Sequence, residues 1–331
     1  MYKVIAYSVK KEDVPAAKEW AKENDVELTI LHEPLTMETI ELAKGHDGIA
    51  VSQMHPITRE MYEKLAEFGM KQIAQRSAGY EIHDLKAASD NGIIVTNVPV
   101  YSPESIAEFV VAGAMMGVRK LPLIMKAAEE HDFRWSPEKR GRLLKDMTVG
   151  ILGVGHIGRE AARIFKGIGC KVIGYDLYPN DEGRQYLEYK DSVDEVVKEA
   201  DIVSLHMPQT EDNYHLFDMD MFNKMKKHAI LLNAGRGGLV NTEDLLKALD
   251  EDILDYAFID VYEHEEAYIM YDYRDKEIED KLFERLIHHP KVGFTPHLAF
   301  YTDVANRNIL VFGLDAVVEV LKTGDSVKRV N

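Results

Sequence analysis

The sequence contains a single cysteine and no long uninterrupted hydrophobic run. Because Cys170 is alone among 331 residues, no disulfide can form within the chain, and we expect a reducing, cytoplasmic setting. Cys170 precedes an apolar stretch typical of a buried strand, which favours a small core residue over a nucleophile. No stretch approaches 18 consecutive apolar residues, so the sequence predicts no membrane-spanning helix. The apolar run at the N-terminus is typical of a strand and not of a signal peptide.

Basic residues are scarce relative to acidic ones. The chain has 40 Lys and Arg against 57 Asp and Glu, a net charge of −17. Such a surface repels nucleic acid and anionic lipid, which excludes a polyanionic partner. The charge serves solubility, and an anionic substrate must be bound by locally placed Arg side chains or backbone N–H groups. The hydrophobic fraction of 46% is that of a globular protein, and the length suffices for two domains.

The first hundred residues alternate short apolar runs with amphipathic helical stretches. This alternation predicts an open parallel sheet with helices on both faces, complete in itself and therefore a separate domain. The predicted strands are 3–7, 27–31, 48–51, 72–75 and 93–96, and the predicted helices are 15–24, 36–43, 58–68 and 83–90.

A second alternating series follows a helix that begins with Ser102 as N-cap and Pro103 at its first position. It contains about six strands, as two mononucleotide-binding halves require. They are predicted at 149–152, 171–175, 202–206, 229–233, 256–260 and 292–295. A last helix from Thr302 to Gly324 and a short tail return to the first domain. The sequence thus predicts one domain of 1–100 and 300–331, with a nucleotide domain of 101–299 inserted into it.

The most specific motif is a Gly-x-Gly-x-x-Gly turn after the apolar run 148–152. Gly153 permits the tight turn, Gly155 lets the backbone approach a pyrophosphate, and Gly158 lets helix and strand pack closely. The helix N-terminus offers free N–H groups to the phosphates. The next apolar run ends on Asp176, where an acid can bind the ribose hydroxyls. A simple helix–sheet packing motif is the alternative, but the complete layout predicts dinucleotide binding.

Three further segments each follow a predicted strand of the nucleotide domain and place a cation, an acid and a histidine at one sheet edge. Arg236 can hold a carboxylate or keto oxygen, His297 can donate a proton to a carbonyl, and Glu265 can raise the histidine pKa. Taken singly, Arg236 could bind only phosphate, Glu265 could be one of several solvated acids, and His297 could be a loop histidine. Their spacing alone leaves both interpretations open.

Five motifs, in order along nearly the whole chain, resemble those of the D-2-hydroxyacid dehydrogenases, most of all the bacterial D-lactate dehydrogenases. They lie at 97–103, 148–158, 233–237, 260–265 and 295–302. The resemblance implies two doubly wound α/β parallel-sheet domains, with a Rossmann NAD-binding domain inserted into a flavodoxin-like substrate domain. It also implies a homodimer joined through the nucleotide domains.

The resemblance assigns roles to individual residues. Arg236, Glu265 and His297 are implied to be catalytic, with His297 the proton donor. The backbone of Ala78 and Gly79 is implied to bind the substrate carboxylate, with Tyr101 beside it. Besides the three glycines of the turn, the implied cofactor contacts are His156, Ile157, Asp176, Met207, Pro208, Asn213, Ala234, Gly235, Arg236 and Asp260.

The chain departs from the family pattern in two segments. Family members usually have Asn-Val-Gly-Val-Asp-Asn-Ile-Asp at 77–84, where this chain has Ser-Ala-Gly-Tyr-Glu-Ile-His-Asp. Lactate-selective members usually have tyrosine where this chain has Ser52, before Gln53, and Phe300 is expected to face the substrate side chain. Hence larger substrates should be tolerated, although pyruvate should be preferred.

We therefore expect a cytoplasmic, NADH-dependent enzyme that reduces pyruvate to D-lactate. One alternative is a dehydrogenase for bulkier 2-keto acids, such as 2-ketoisocaproate. A second, from another class, is a nucleotide-sensing protein similar to the corepressors that resemble this family. No metal is expected, because His131, His288 and His289 lack Cys or acid partners at ligand spacing and are better interpreted as solvated loop residues.

Overall fold

The computed structural model describes residues 1–53 and 55–331, which form two compact units. Unit 1 comprises Met1–Ser102 and Tyr301–Asn331, and unit 2 comprises Pro103–Phe300. The strands are β1 (Tyr2–Ala6), β2 (Val26–Ile30), β3 (Gly48–Val51), β4 (Gln72–Gln75), β5 (Ile94–Thr96), β6 (Thr148–Leu152), β7 (Lys171–Tyr175), β8 (Glu188–Tyr189), β9 (Ile202–Leu205), β10 (Ala229–Asn233), β11 (Leu254–Ile259) and β12 (Val292–Phe294). The α-helices are α1 (Val14–Glu23), α2 (Arg59–Glu67), α3 (Leu85–Asp90), α4 (Pro103–Val118), α5 (Leu121–Glu129), α6 (His156–Ile168), α7 (Asp181–Arg184), α8 (Val193–Glu199), α9 (Met219–Lys224), α10 (Thr242–Asp250), α11 (Lys281–His288) and α12 (Asp303–Thr323).

Unit 1 is built on a five-stranded parallel sheet in the order β2-β1-β3-β4-β5. Alternate residues of its central strands face opposite layers, as the period of two in a strand requires. In β1, Val4 and Ala6 pack with α12, whereas Ile5 lies in the second core with α2. The order is that of flavodoxin-like domains, so this part of the fold prediction is confirmed.

The C-terminal tail is bound to the edge of the unit 1 sheet. The amide of Val330 donates to the carbonyl of Val95 at 2.9 Å, and the amide of Asn97 donates to Lys328 at 3.2 Å. The side chain of Asn331 accepts a hydrogen bond from the amide of Val95. The long helix α12 and the residues after it therefore complete the unit that the first hundred residues begin.

Unit 2 contains a seven-stranded parallel sheet in the order β12-β11-β10-β9-β6-β7-β8. The order reverses beside β6, which gives the Rossmann arrangement and confirms this part of the prediction. The expectation of six strands is wrong by one. The additional strand, β8, is only two residues long and pairs with β7 through Ile173 and Gly174, too short to give a recognisable pattern.

One predicted helix does not form. The segment 36–43 contains only a 3-10 turn, Ile40–Ala43. The hydroxyl of Thr39 accepts the amide of Thr36 at 2.9 Å and donates to the carbonyl of Pro34 at 2.7 Å. These local side-chain bonds replace the backbone bonds that a helix would have needed. The other predicted elements are present with ends shifted by one or two residues.

Two expectations about single residues have different outcomes. Cys170 is 7% exposed and its thiol donates to the carbonyl of Leu144, so it is a core residue as predicted. His289 is not a solvated loop residue, because its side chain is 7% exposed and lies 3.1 Å from the carboxylate of Asp250. Across residues 1–53 and 55–331, no helix is long and apolar enough to cross a membrane.

Candidate active site

The three predicted catalytic residues follow three neighbouring strands of unit 2. Arg236 lies beyond the end of β10, Glu265 beyond β11 and His297 beyond β12. These strands are adjacent and parallel, so their carboxyl ends meet at one edge of the sheet. Open α/β sheets bind ligands at this edge. The topology therefore brings the three residues to the same edge of the sheet, which their spacing in the sequence alone did not establish.

His297 and Glu265 form a direct pair. Nδ1 of His297 lies 2.7 Å from Oε1 of Glu265, and the other carboxylate oxygen of Glu265 accepts the amide of Tyr262 at 3.1 Å. The side chain of Glu265 is 17% exposed and that of His297 is 35% exposed. The ring of His297 is therefore fixed at Nδ1, while its side chain remains partly exposed.

The turn that carries His297 is held by Asp260. One carboxylate oxygen of Asp260 accepts the hydroxyl of Thr295 at 2.5 Å and the amide of Leu298 at 2.9 Å, and the other accepts the amide of Ala299 at 2.9 Å. The amide of His297 donates to the carbonyl of Asp260 at 2.7 Å. These bonds stabilise His297 in the left-handed region, at φ 55°, which a β-carbon-bearing residue occupies only at some cost.

The electrostatic surroundings favour the protonated form of His297. Burial lowers the pKa of His297, but the hydrogen bond and charge of Glu265, together with the charge of Asp260, raise it above its ordinary value. The charge of Arg236 acts in the opposite direction and lowers the pKa of His297. The arrangement can therefore hold a proton on His297 near neutral pH.

The loop that carries Arg236 is held by the side chain of Asn233. Its amide nitrogen donates to the carbonyl of Arg236 at 2.9 Å, and its oxygen accepts the amide of Gly235 at 3.1 Å. Nη1 of Arg236 donates to the carbonyl of Gly235 at 2.9 Å. The backbone of this loop is therefore held by the side chain of Asn233 and by the guanidinium of Arg236 itself.

The glycine turn after β6 fits a dinucleotide phosphate. Gly153 has φ +89°, and a Cβ there would lie 2.7 Å from the backbone of His206. A Cβ on Gly158 would overlap the carbonyl oxygen of Gly153, whereas a Cβ on Gly155 would have no neighbour within 4 Å among the described residues. The first and third glycines thus serve close packing. Gly155 leaves open space in front of the N-terminus of α6, where backbone N–H groups face outward.

Asp176 ends β7 beside this turn. Its two carboxylate oxygens accept the amides of Val154, at 2.6 Å, and Tyr178, at 2.8 Å. The carboxylate is therefore fixed in place while it remains half-exposed. This is the position that the Rossmann layout gives to the acid that binds the ribose hydroxyls.

The other predicted contacts also lie at strand ends. In unit 2, His156 and Ile157 begin α6, Met207 and Pro208 follow β9, and Ala234 follows β10. Asn213 ends a short turn in which its side chain bonds Thr210 and Pro208. In unit 1, Ser52 follows β3, Ala78 and Gly79 follow β4, and the carbonyl of Tyr101 accepts the side chain of Asn308. Their roles in binding stay predictions.

Sequence reasoning missed the pairing of Glu263. Its side chain is only 6% exposed and lies 2.6 Å from Nε2 of His215. It also accepts the amide of Thr242 at the start of α10. It is therefore a structural acid that joins three loops, unlike the solvated acid that the Glu-His-Glu-Glu run suggests. His215 and Glu263 are 48 residues apart, and no local pattern links such distant positions, so this pair could not be predicted from the sequence.

Comparisons with known proteins agree with this geometry. Residues 111–299 match the family model described as D-isomer specific 2-hydroxyacid dehydrogenase, NAD binding domain. The chain is 49% identical to a D-lactate dehydrogenase of Streptococcus pyogenes serotype M1, over 99% of this chain and 100% of that protein. A D-lactate dehydrogenase of Treponema pallidum matches with a TM-score of 0.95 and 35% identity, over 99% of both chains. A D-2-hydroxyisocaproate dehydrogenase matches with a TM-score of 0.92 and 34% identity, again over 99% of both chains.

The match to the family model covers more than half of the chain, and the full-length relatives agree with it. The resemblance stated from the motifs is confirmed, and so is NAD as the cofactor. The chain therefore belongs to the D-isomer specific 2-hydroxyacid dehydrogenases and is an NAD-dependent enzyme of that family.

Proposed function

We propose that this enzyme reduces pyruvate to D-lactate. The observation that carries the proposal is the 2.7 Å contact between Nδ1 of His297 and Glu265, which supplies a proton donor beside a fixed carboxylate. The relatives named D-lactate dehydrogenase, one of them 49% identical over the full length, support pyruvate as the substrate. Reduction of a ketone consumes one hydride and one proton, and the chain must supply the proton.

His297 is the residue that holds this proton. The cofactor, when bound, supplies the hydride. Because Glu265 occupies Nδ1, the proton for the carbonyl oxygen is held at Nε2. As the proton leaves, Glu265 continues to orient the neutral ring through Nδ1–H. Arg236 offers a planar pair of N–H donors to the keto and carboxylate oxygens.

The carboxylate of the substrate would be bound by the amides of residues 78–79 in unit 1. The carbonyls in this turn are occupied, since Ala78 accepts the side chain of Asn97 at 2.7 Å and Gly79 accepts the hydroxyl of Ser77 at 2.6 Å. In the described part of the chain, the amides of Ala78 and Gly79 have no acceptor within hydrogen-bond distance. Free donors beside satisfied acceptors favour an anion.

The Glu265→Gln variant should lose keto acid reduction at a lower pH than the wild type. Reduction requires protonated His297, so activity is present below the raised pKa of His297 and falls as pH rises through it. Glutamine keeps the shape but removes the charge, which lowers that pKa. The measurement is kcat/KM for pyruvate against pH at saturating NADH, with Glu266→Gln as a matched control because Glu266 is exposed. Superimposable profiles for Glu265→Gln and the wild type would show that the two residues do not couple.

A panel of 2-keto acids tests the proposed substrate. We expect steady NADH oxidation, with kcat/KM higher for pyruvate than for 2-ketoisocaproate or phenylpyruvate. The ring of Phe300 lies 6.3 Å from the ring of His297, a position in which it can limit the substrate side chain. Ser52 replaces the tyrosine usual in lactate-selective members. Phe300→Ala should weaken the preference for pyruvate, and Ser52→Tyr should sharpen it. For each methylene group of the substrate that the pocket newly admits or excludes, the ratio of the two kcat/KM values should change by about 1–3 kcal/mol.

The same panel decides between the rival functions. A higher kcat/KM for 2-ketoisocaproate than for pyruvate would make the enzyme a dehydrogenase of bulkier acids, as the similar D-2-hydroxyisocaproate dehydrogenase is named. NADH binding without turnover of any 2-keto acid would make the chain a nucleotide sensor. The relatives and the His297–Glu265 pair favour neither alternative.

We further propose that the enzyme is a cytoplasmic homodimer joined through unit 2. The helix α5 and the segment after it expose several large apolar side chains, among them Met125 (61% exposed), Phe133 (75%), Trp135 (fully exposed) and Leu143 (57%). An apolar patch of this kind favours a protein partner, and homodimers are the commonest assembly. A sedimentation mass of about twice 37.6 kDa supports the proposal, and a mass of 37.6 kDa refutes it.

A further inference from the structure

Unit 1 contains a continuous chain of hydrogen-bonded polar side chains, three buried and the last, Ser77, partly exposed, which ends at the turn proposed to bind the carboxylate. The hydroxyl of Tyr62 lies 2.5 Å from Nδ1 of His83, and Nε2 of His83 lies 3.1 Å from Oε1 of Gln75. Nε2 of Gln75 donates to the hydroxyl of Ser77 at 2.8 Å, which in turn donates to the carbonyl of Gly79 at 2.6 Å. Four hydrogen bonds thus connect α2 with the turn after β4.

The chemistry of the groups gives these bonds one direction. The amide oxygen of Gln75 can only accept, so Nε2 of His83 carries the ring proton. Burial lowers the pKa of His83 to about 4, so the ring is neutral and its Nδ1 accepts the hydroxyl of Tyr62. Every donor along the chain therefore points toward Gly79. Bonds aligned in this way polarise and strengthen one another.

Ser77 and His83 are connected through Gln75, which is 4% exposed. The side chain of His83 is itself buried, at 7% exposed. An apolar residue at 83 would fill the same space without the cost of burying an imidazole, so the buried polar side chains indicate a task beyond packing.

We propose that Tyr62, His83 and Gln75 are positioning residues for substrate binding, which hold Ser77 so that the amides of residues 78–79 face the carboxylate of the keto acid. The inference rests on the proposed function. It assigns to these residues an effect on affinity for the substrate and none on hydride transfer or on the binding of NADH.

The test compares Ser77→Ala, Ser77→Thr and His83→Ile. The first removes the last hydroxyl, the second keeps it, and the third removes the donor to Gln75. The readouts are the Kd of oxamate, an unreactive analogue of pyruvate, for the enzyme–NADH complex, and the steady-state constants for pyruvate. Ser89→Ala is the matched control, because Ser89 is exposed and its hydroxyl bonds the carbonyl of Leu85 and the side chain of Asn331, outside the series of bonds from Tyr62 to Gly79.

We expect Ser77→Ala and His83→Ile to raise the Kd of oxamate and the KM of pyruvate about tenfold, with kcat and the KM of NADH within about twofold of the wild type. Ser77→Thr and Ser89→Ala should resemble the wild type. Unchanged oxamate affinity in both Ser77→Ala and His83→Ile would overturn the inference. If His83→Ile does not fold, the comparison of Ser77→Ala with Ser77→Thr decides alone.

The double variant Tyr62→Phe/His83→Ile separates positioning from packing. In His83→Ile the buried hydroxyl of Tyr62 has lost its partner, and the double variant removes that hydroxyl as well. The thermal stability of the double variant should therefore be higher than that of His83→Ile, while its affinity for oxamate stays low. Recovery of both would show that His83 serves only packing and would overturn the inference. Failure of the proposed function is distinguishable, because it appears as a wild type that reduces no 2-keto acid, whereas the positioning role is measured by oxamate binding.

Discussion

Replacing Arg236 by lysine should lower kcat/KM for pyruvate by more than about a hundredfold and leave the affinity for NADH nearly unchanged. Lysine keeps the positive charge but loses the planar pair of donors that fits two oxygens at once. Loss of a charge-assisted bidentate contact costs about 3 kcal/mol or more, which corresponds to more than about a hundredfold in rate constant. Steady-state kinetics with pyruvate, together with fluorescence titration of NADH, measures both quantities.

The structure makes Arg236→Lys a clean test. Asn233 bonds the backbone of Arg236 and Gly235, and these two bonds remain when the guanidinium, which bonds the carbonyl of Gly235, is removed. Arg163→Lys is the matched control, because Arg163 lies in α6 of the same unit and pairs with the acid Glu160. If Arg236→Lys turned over pyruvate as fast as Arg163→Lys, Arg236 would be a phosphate contact or a structural residue.

Much of this site could be predicted from the sequence, because the order of strands and helices is enough to show which residues meet at one edge of a parallel sheet. Short apolar runs that alternate with helices predict parallel strands, and residues that follow such strands must meet at one edge. This reasoning predicts Arg236, Glu265 and His297, and each lies beyond the end of a neighbouring strand. The glycine turn was predictable for the same reason, since its spacing reflects local backbone geometry.

What the sequence did not predict depends on contacts between distant positions. The resemblance implies a cofactor contact for Asp260, which stays a prediction, but the sequence did not predict that both of its carboxylate oxygens hold the turn around His297. The side chain of Gln53 bonds the backbone of Leu35 and His55, which no pattern in the sequence predicts. A polar side chain after a strand looks the same in sequence whether it faces a ligand or its own backbone. Only the three-dimensional structure distinguishes the two.

The second large effect concerns the cofactor. The enzyme should prefer NADH to NADPH by at least about a hundredfold in kcat/KM, or about 2.7 kcal/mol. The carboxylate of Asp176 is fixed by the amides of Val154 and Tyr178, so it cannot turn away from a 2′-phosphate. Residues 177–180 contain no Arg or Lys to neutralise that phosphate. Steady-state kinetics with each cofactor at saturating pyruvate measures the ratio, and comparable values would refute the assignment of Asp176.

The variant Asp176→Asn should lower the ratio of kcat/KM for NADH to kcat/KM for NADPH at least about tenfold, because it removes the charge that repels the 2′-phosphate. The amide oxygen of asparagine can still accept a hydrogen bond from one backbone amide. Asp181→Asn is the matched control, since its carboxylate is fully exposed in the neighbouring helix α7. Comparing the two variants separates the effect of a carboxylate at the ribose from the general electrostatic repulsion by a chain with net charge −17. At physiological ionic strength the field of an exposed charge is screened within about 8 Å, so only the acid that touches the ribose should matter. Equal effects of the two variants would instead assign the preference to the overall acidity of the surface.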